Sequence, residues 1–200
     1  MRLSLVFLFF CSTLLLGCAQ TPPVKPHGEH LIMPFNQLLK NWHVEQTLSN
    51  GVQQITWHQP LVNKAYNPQN NKDSNKAEHQ LVLTIHQKAT FDLKAQQAIA
   101  NQPGQMSCDA FTSKKRVLAT DVKWPQPNAR LVWFSRCQNN NGFNAGILHF
   151  MAQGKEVFYH LQRSWHNSLT ATSLKQWYQY FEQIYLCDTT DITKPCPSEK

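Results

Sequence analysis

The chain has 200 residues, of which 42% are hydrophobic and 16% are charged, and its formal net charge at pH 7 is +7. This length suits a single domain with a sizeable apolar core. The basic residues are scattered, and Lys114-Lys115-Arg116 is the only run of them. This distribution argues against a nucleic-acid-binding surface. It leaves only a modest preference for anionic partners.

The first 17 residues have the pattern of a secretory signal. Arg2 precedes a charge-free stretch from Leu3 to Leu16, which is too short to cross a bilayer as a helix. Leu15-Leu16-Gly17-Cys18 then closes the segment with a small residue and a cysteine. This motif resembles the lipobox of bacterial lipoproteins. The resemblance implies cleavage of the signal peptide after residue 17 and attachment of lipid to Cys18.

The same resemblance implies a location for the protein. Several acyl chains on Cys18 would hold the mature chain stably at a membrane. Ala19 follows the cysteine where an aspartate could stand, which implies sorting to the outer membrane, and we expect the domain to face the periplasm. Residues 18–33 contain three prolines and little apolar content, so we expect a flexible tether there. The folded domain is then expected to span residues 34–200.

Four cysteines remain once the signal and the lipid acceptor are set aside. An even number in an exported chain predicts two disulfides, for which three pairings are possible. We favour one pair that closes a short loop near the C-terminus and one that joins two predicted strands. A zinc site is the alternative, although no C-x-x-C pair is present. The favoured pairs are Cys187–Cys196 and Cys108–Cys137.

The first half of the domain begins with a predicted hairpin. Asn50-Gly51 separates two segments in which apolar and polar residues alternate, which indicates strands at Trp42–Leu48 and Val52–His58. Other patterns in this half are also clear. They predict a short helix at 34–40, a polar loop at 59–79, a strand at Gln80–Gln87 and a helix at Phe91–Gln102 that ends at Pro103-Gly104.

The second half has the spacing of an antiparallel meander. If Gln153-Gly154 is a two-residue turn, Phe150 pairs with Val157, and the two faces of this hairpin can be assigned. The apolar face is then expected to carry Leu148, Phe150, Val157, Tyr159 and Leu161, and the other face Ile147, His149, Met151, Phe158 and His160. The predicted strands are Met106–Phe111, Val117–Trp124, Arg130–Cys137, Ala145–Met151 and Glu156–Arg163.

The segment Ser173–Leu186 is predicted as an amphipathic helix. Ser173 and Gln176 match a capping box, and apolar residues then recur at helical spacing. Together the elements predict an α+β fold. We expect an antiparallel sheet of five to seven strands, covered on one face by this C-terminal helix and by the earlier helix.

The histidines are the strongest candidates for chemistry. His149 and His160 are expected on one face of the hairpin, diagonal to each other, where they could bind a metal or move a proton. His166 follows on the same strand and could join them. No third ligand stands at a fixed spacing, so no metal site and no cofactor is predicted. The chain also lacks the motifs of nucleotide-binding proteins, zinc proteases and serine hydrolases.

These observations favour a non-enzymatic envelope lipoprotein that binds or scaffolds another component. Its expected partners are the membrane, through Cys18, and another envelope protein or an anionic envelope polymer, but not nucleic acid. Trp124 is the tryptophan most expected to be exposed. One alternative is a cell-wall hydrolase that uses the histidines. Another is a small-ligand carrier with a cavity lined by Trp177, Phe181 and Tyr159.

The lipobox generates the first prediction. Replacing Cys18→Ala removes the acyl-acceptor thiol, so radiolabelled palmitate should no longer be incorporated into the protein. The measurement is autoradiography of the immunoprecipitated chain beside wild type. Continued labelling of the variant would refute the assignment of Cys18.

Overall fold

The computed structural model describes residues 28–34, 37–59, 79–117, 130–166, 169–191 and 196. Expectations for the signal, Cys18, most of the loop at 59–79, most of the strand at 117–124 and Trp124 lie outside these residues. The elements in chain order are β1 (Glu29–Ile32), a 3₁₀ turn (Gln37–Leu39), β2 (His43–Ser49), β3 (Val52–His58), β4 (His79–Gln87), α1 (Leu93–Ser107), β5 (Ala110–Arg116), β6 (Arg130–Gln138), β7 (Asn144–Gln153), β8 (Val157–His166), α2 (Ala171–Glu182) and β9 (Tyr185–Asp188).

The strands confirm the predicted α+β class. Seven form an antiparallel sheet in the order β2-β3-β4-β8-β7-β6-β5, and β1 pairs with β9 in a separate two-stranded sheet. Of the helices in the described residues, neither is long and apolar enough to cross a membrane. The first hairpin is confirmed too. Ser49 pairs with Val52, and Asn50 and Gly51 both have positive φ, as a two-residue primed turn requires.

The folded domain begins earlier than expected. Residues 29–32 fall in the segment predicted as a tether, but they form β1, in which Glu29 pairs with Asp188 and Ile32 with Tyr185. The Tyr159 hydroxyl donates to the Glu29 carbonyl at 3.0 Å, and the Lys155 ammonium lies 3.0 Å from the Asp188 carboxylate. The boundary predicted at residue 34 is therefore wrong, because β1 is attached to both β9 and the β7–β8 turn.

The predicted register of the β7–β8 hairpin is wrong by four residues. Phe150 pairs with Leu161 rather than Val157, because the turn is wider than two residues. The Gly154 N–H donates to the Val157 carbonyl at 2.8 Å, and the Lys155 N–H donates to the Glu29 carboxylate. Since four is even, every side chain stays on its predicted face.

The helix α1 starts and ends later than predicted. Asp92 is its N-cap and accepts a hydrogen bond from the Ala95 N–H at 2.7 Å. The helix continues through Pro103 to Ser107. A side chain at Gly104 would collide with the ring of Phe111, so the helix packs closely on β5 at this point. Residues 106 and 107 are therefore helical, and the strand predicted at Met106–Phe111 is wrong.

The helix α2 begins with a different cap. The Thr170 hydroxyl accepts from the Ser173 N–H at 3.1 Å, so Ser173 lies in the first turn and the predicted capping box is wrong. The helix ends at Glu182, and the last residues of the predicted helix enter β9. Ile184, which belongs to the predicted apolar stripe, is buried just before β9, and Leu186 is buried within it.

The two helices cover opposite faces of the sheet, which corrects the expectation of a single covered face. Under α2 lies the larger apolar cluster, which includes Leu81, Leu148, Phe150, Leu161, Trp165, Trp177 and Phe181. Under α1 lies a smaller cluster of Leu131, Trp133, Met151 and Phe158. Neighbours such as Phe150 and Met151 belong to different clusters because strand side chains alternate.

Both favoured disulfides are present. Cys108, the C-cap of α1, is bonded to Cys137 on β6, with 5.4 Å between their Cα atoms. Cys187 on β9 is bonded to Cys196, with 4.8 Å between Cα atoms. The first bond closes a loop of 29 residues in sequence separation and the second a loop of 9.

These loops predict different contributions to stability. On the loop-entropy model, removing the first bond should lower the free energy of unfolding by roughly 3.5 kcal/mol and removing the second by roughly 2.5 kcal/mol. Urea unfolding of the Cys108→Ser/Cys137→Ser and Cys187→Ser/Cys196→Ser variants checks this order. A larger loss from the second pair would contradict it.

Candidate functional site

The sheet brings His149 and His160 into contact. On β7 and β8 the paired residues are Met151 with His160 and His149 with Gln162, so the two histidines are diagonal neighbours. The Nδ1 atom of His149 lies 3.2 Å from the Nε2 atom of His160. The predicted diagonal survives the register correction because both versions keep the two histidines on one face.

A serine extends this pair across a third strand. Ser135 on β6 pairs with Ile147, and its Oγ lies 3.0 Å from the Nε2 atom of His149. The Gln162 amide nitrogen lies 3.4 Å from the Nδ1 atom of His149. We call Ser135, His149 and His160 the Ser–His–His chain. The sequence analysis missed Ser135, because only the pairing of β6 with β7 places it beside His149.

Trp133, held by helix α1, covers His149 of the Ser–His–His chain. The Trp133 indole stacks on the His149 ring at 4.2 Å between centroids, with 2° between planes. Its Nε1–H donates to the Asn101 side-chain oxygen at 3.0 Å, and the Asn101 amide donates to Ser113 on β5 at 3.1 Å. His149 is consequently only 1% exposed.

Burial sets the protonation of both histidines. It is the main reason why the pKa of His149 is well below 6.5, and the nearby His160 lowers it further. Burial, followed by the charge of His86, lowers the pKa of His160 to about 4. Both rings are therefore neutral at pH 7, where each can accept one hydrogen bond and donate another.

The third candidate lies apart from this pair. His166 is on the same face of β8, six residues beyond His160, which is roughly 20 Å along a strand. Its ring contacts Phe143, with 5.7 Å between centroids. The structure does not bring His166 to the Ser–His–His chain. Within the described residues, no group of three or more His, Cys, Asp or Glu side chains is placed to hold a metal ion.

The opposite face of β8 holds a buried cation that sequence reasoning missed. Arg163 is 2% exposed, and its guanidinium lies 4.9–5.0 Å from the ring centroids of Trp42, Trp165 and Trp177. It donates to the carbonyls of Gln80 and Ser164 at 3.2 and 2.8 Å. Burial lowers its pKa to about 9.

The arrangement around Arg163 is a structural one. The tryptophan faces offer electron density to the cation, one terminal nitrogen donates to both carbonyls and the other to the Gln59 side-chain oxygen at 3.4 Å, while Nε has no partner among the described residues. A signal for it exists in the sequence, since Arg163 has the same parity as the apolar Tyr159, Leu161 and Trp165. A strand arginine usually faces water, so the parity of Arg163 alone does not predict its burial.

The cavity expected for a ligand carrier is filled. Trp177, Phe181 and Tyr159 are all buried in the larger cluster. A partly open cleft of about 360 Å³ lies elsewhere, between the start of α2 and strands β6 to β8. Its lining includes Phe134, Arg136, Trp165, Leu169 and Leu174.

No protein-family model matches the sequence, and neither does any curated protein. The chemistry of the site must therefore be judged from its geometry. A neutral serine–histidine–histidine chain can relay hydrogen bonds. Ser135 and His149 are buried and His160 is partly exposed, and none of their contacts described above is with a carboxylate that could orient a catalytic base.

The lowered pKa values predict acid sensitivity. The unfolded chain binds protons on these histidines below pH 6.5, while the folded chain does not until its lower pKa values are reached. Stability from this source is complete above pH 6.5 and is lost as the pH falls. For His160, whose pKa is about 4, the loss is roughly 3 kcal/mol between pH 6.5 and 4.

Urea unfolding at pH 7.5 and pH 4.5 measures this loss. The His160→Gln variant removes one of the two titrating rings and should lose less stability between these pH values than wild type. Ile99→Gln, at an exposed position on α1, is the control and should lose as much as wild type. Equal losses in all three proteins would show that His160 does not cause the acid sensitivity.

Proposed function

We propose that the chain is a lipid-anchored envelope protein whose domain binds or scaffolds another envelope component without catalysing a reaction. The burial of Ser135 and His149 within the Ser–His–His chain carries this proposal. His149, a side chain that could carry catalytic chemistry, is 1% exposed beneath Trp133, and burial lowers its pKa; His160 beside it is partly exposed, with a pKa lowered to about 4. A hydrolytic substrate would have to displace Trp133 or the helix bonded to it in order to reach His149.

The disulfides support the envelope location. Two bonds pair all four cysteines that follow Cys18. Such bonds persist in oxidising compartments such as the periplasm and are rare in the reducing cytosol. They agree with the secretory signal and the lipobox, which the sequence offers independently.

The start of the fold supports a short anchor. Gly28, which directly precedes β1, lies ten positions after Cys18 in sequence. Fully extended, a segment of that length reaches at most about 35 Å. A lipid on Cys18 would therefore keep the domain close to the bilayer surface, where its partners would be membrane components or proteins next to them.

The cell-wall hydrolase is the alternative that experiment must separate. Wild-type protein and the Ser135→Ala variant should both leave p-nitrophenyl acetate and purified cell-wall sacculi at the background rate of hydrolysis at pH 7 to 8. The readouts are released nitrophenolate and soluble wall fragments. The proposal fails if wild type turns over either substrate and the Ser135→Ala and His149→Gln variants do not.

A further inference from the structure

The two edges of the seven-stranded sheet differ in chemistry. The outer strand β5 ends in Lys114-Lys115-Arg116, and such a row of cations discourages another strand from pairing. The other outer strand, β2, contains no lysine, arginine or proline, and all seven of its side chains are exposed. Among the described residues its only strand neighbour is β3.

Two exposed apolar side chains are placed symmetrically on β2. Val44 is 50% exposed and Leu48 is 73% exposed. Both lie on the α2 face of the sheet, because Val44 pairs with Trp57, which packs against the core beneath α2. Each is two residues from Gln46, the central residue of the strand.

We infer that β2 is a dimerisation edge that pairs antiparallel with β2 of a second copy of this chain, about a two-fold axis at Gln46. In this register Val44 faces Leu48 twice, His43 faces Ser49, and Glu45 faces Thr47. All seven residues are paired, and no like charges stand directly opposite each other. The result is an isologous interface that joins two seven-stranded sheets into one.

Neighbouring registers are less favourable. An axis at Glu45 sets two carboxylates opposite each other, and an axis at Thr47 sets Leu48 opposite Gln46. Either one pairs only five residues of the strand. Occupation by a second copy is favoured because full length and apolar pairing select the same axis. The two Glu45 carboxylates are then diagonal neighbours, each within 3.3 Å of His58 of its own chain. This inference does not depend on the proposed anchor.

Cysteine cross-linking of the purified full-length protein tests the axis. Gln46→Cys should form a disulfide-linked dimer under copper–phenanthroline, since residues opposite each other on antiparallel strands have Cα atoms about 4.5–5.5 Å apart. Ser49→Cys is the matched control on the same strand, because its two copies would be about 20 Å apart. Lys114→Cys on β5 is the control on the other edge.

A second substitution tests the apolar pairing. Adding Leu48→Lys to Gln46→Cys should lower the dimer yield by roughly fivefold or more, because a cation replaces the exposed leucine at the edge. Adding Val117→Lys, at a position that is 90% exposed beyond β5, should leave the yield unchanged. Mass mapping of both native disulfides in each variant checks that the fold is kept.

Three outcomes would overturn the inference. The first is the absence of a cross-linked dimer of Gln46→Cys in correctly folded protein. The second is an equal yield from Ser49→Cys or Lys114→Cys, which would indicate random collision. The third is a Gln46→Cys product whose mass is not twice that of the chain, which would show that the edge serves a different protein.

Discussion

Burial of the central strands on both faces is the constraint on which the rest of the structure depends. Because α1 and α2 lie on opposite faces, β6, β7 and β8 have no face open to water along much of their length. A polar side chain on these strands must therefore find its partners inside the protein. Ser135 and His149 satisfy each other on one face. On the other, the terminal nitrogens of Arg163 donate to carbonyls and its guanidinium lies against indoles, while its Nε has no partner among the described residues.

The same constraint acts on the His149–His160 pair, which has the appearance of a catalytic site. In sequence, paired histidines indicate proton transfer, and their contact with Ser135 strengthens that impression. Yet burial lowers the pKa values of both rings, and Trp133 covers His149. Reactive chemistry needs both suitable pKa values and access for a substrate. Within the part of the chain that the structure describes, the strand β2 exposes all seven of its side chains to water.

The sequence predicted what depends on local pattern and missed what depends on pairing between distant strands. The turn at Asn50-Gly51 and the face of His149 follow from short-range rules, so the hairpin and the histidine pair were anticipated. The end of α1 was not anticipated, because Pro103 normally stops a helix. In the structure the helix continues to Ser107, and Gly104 packs closely on Phe111 there. Ser135 and Arg163 acquire their surroundings from β6 to β8 pairing and from tryptophans far apart in sequence. Their surroundings could not be read from local spacing.

The small β1–β9 sheet has a mechanical consequence for a tethered domain. A pull on the proposed anchor enters at Gly28, whose N–H donates to the Thr189 hydroxyl at 2.9 Å. It then reaches four ladder pairs that lie outside the main sheet. To peel β1 from β9, a load must also break the hydrogen bonds of Tyr159 and Lys155 to Glu29, and it must pull Leu31 from the main core. Release of the six residues 28–33 would lengthen the tether by about 20 Å. The Cys187–Cys196 bond links β9, the pairing partner of β1, covalently to the tail of the chain.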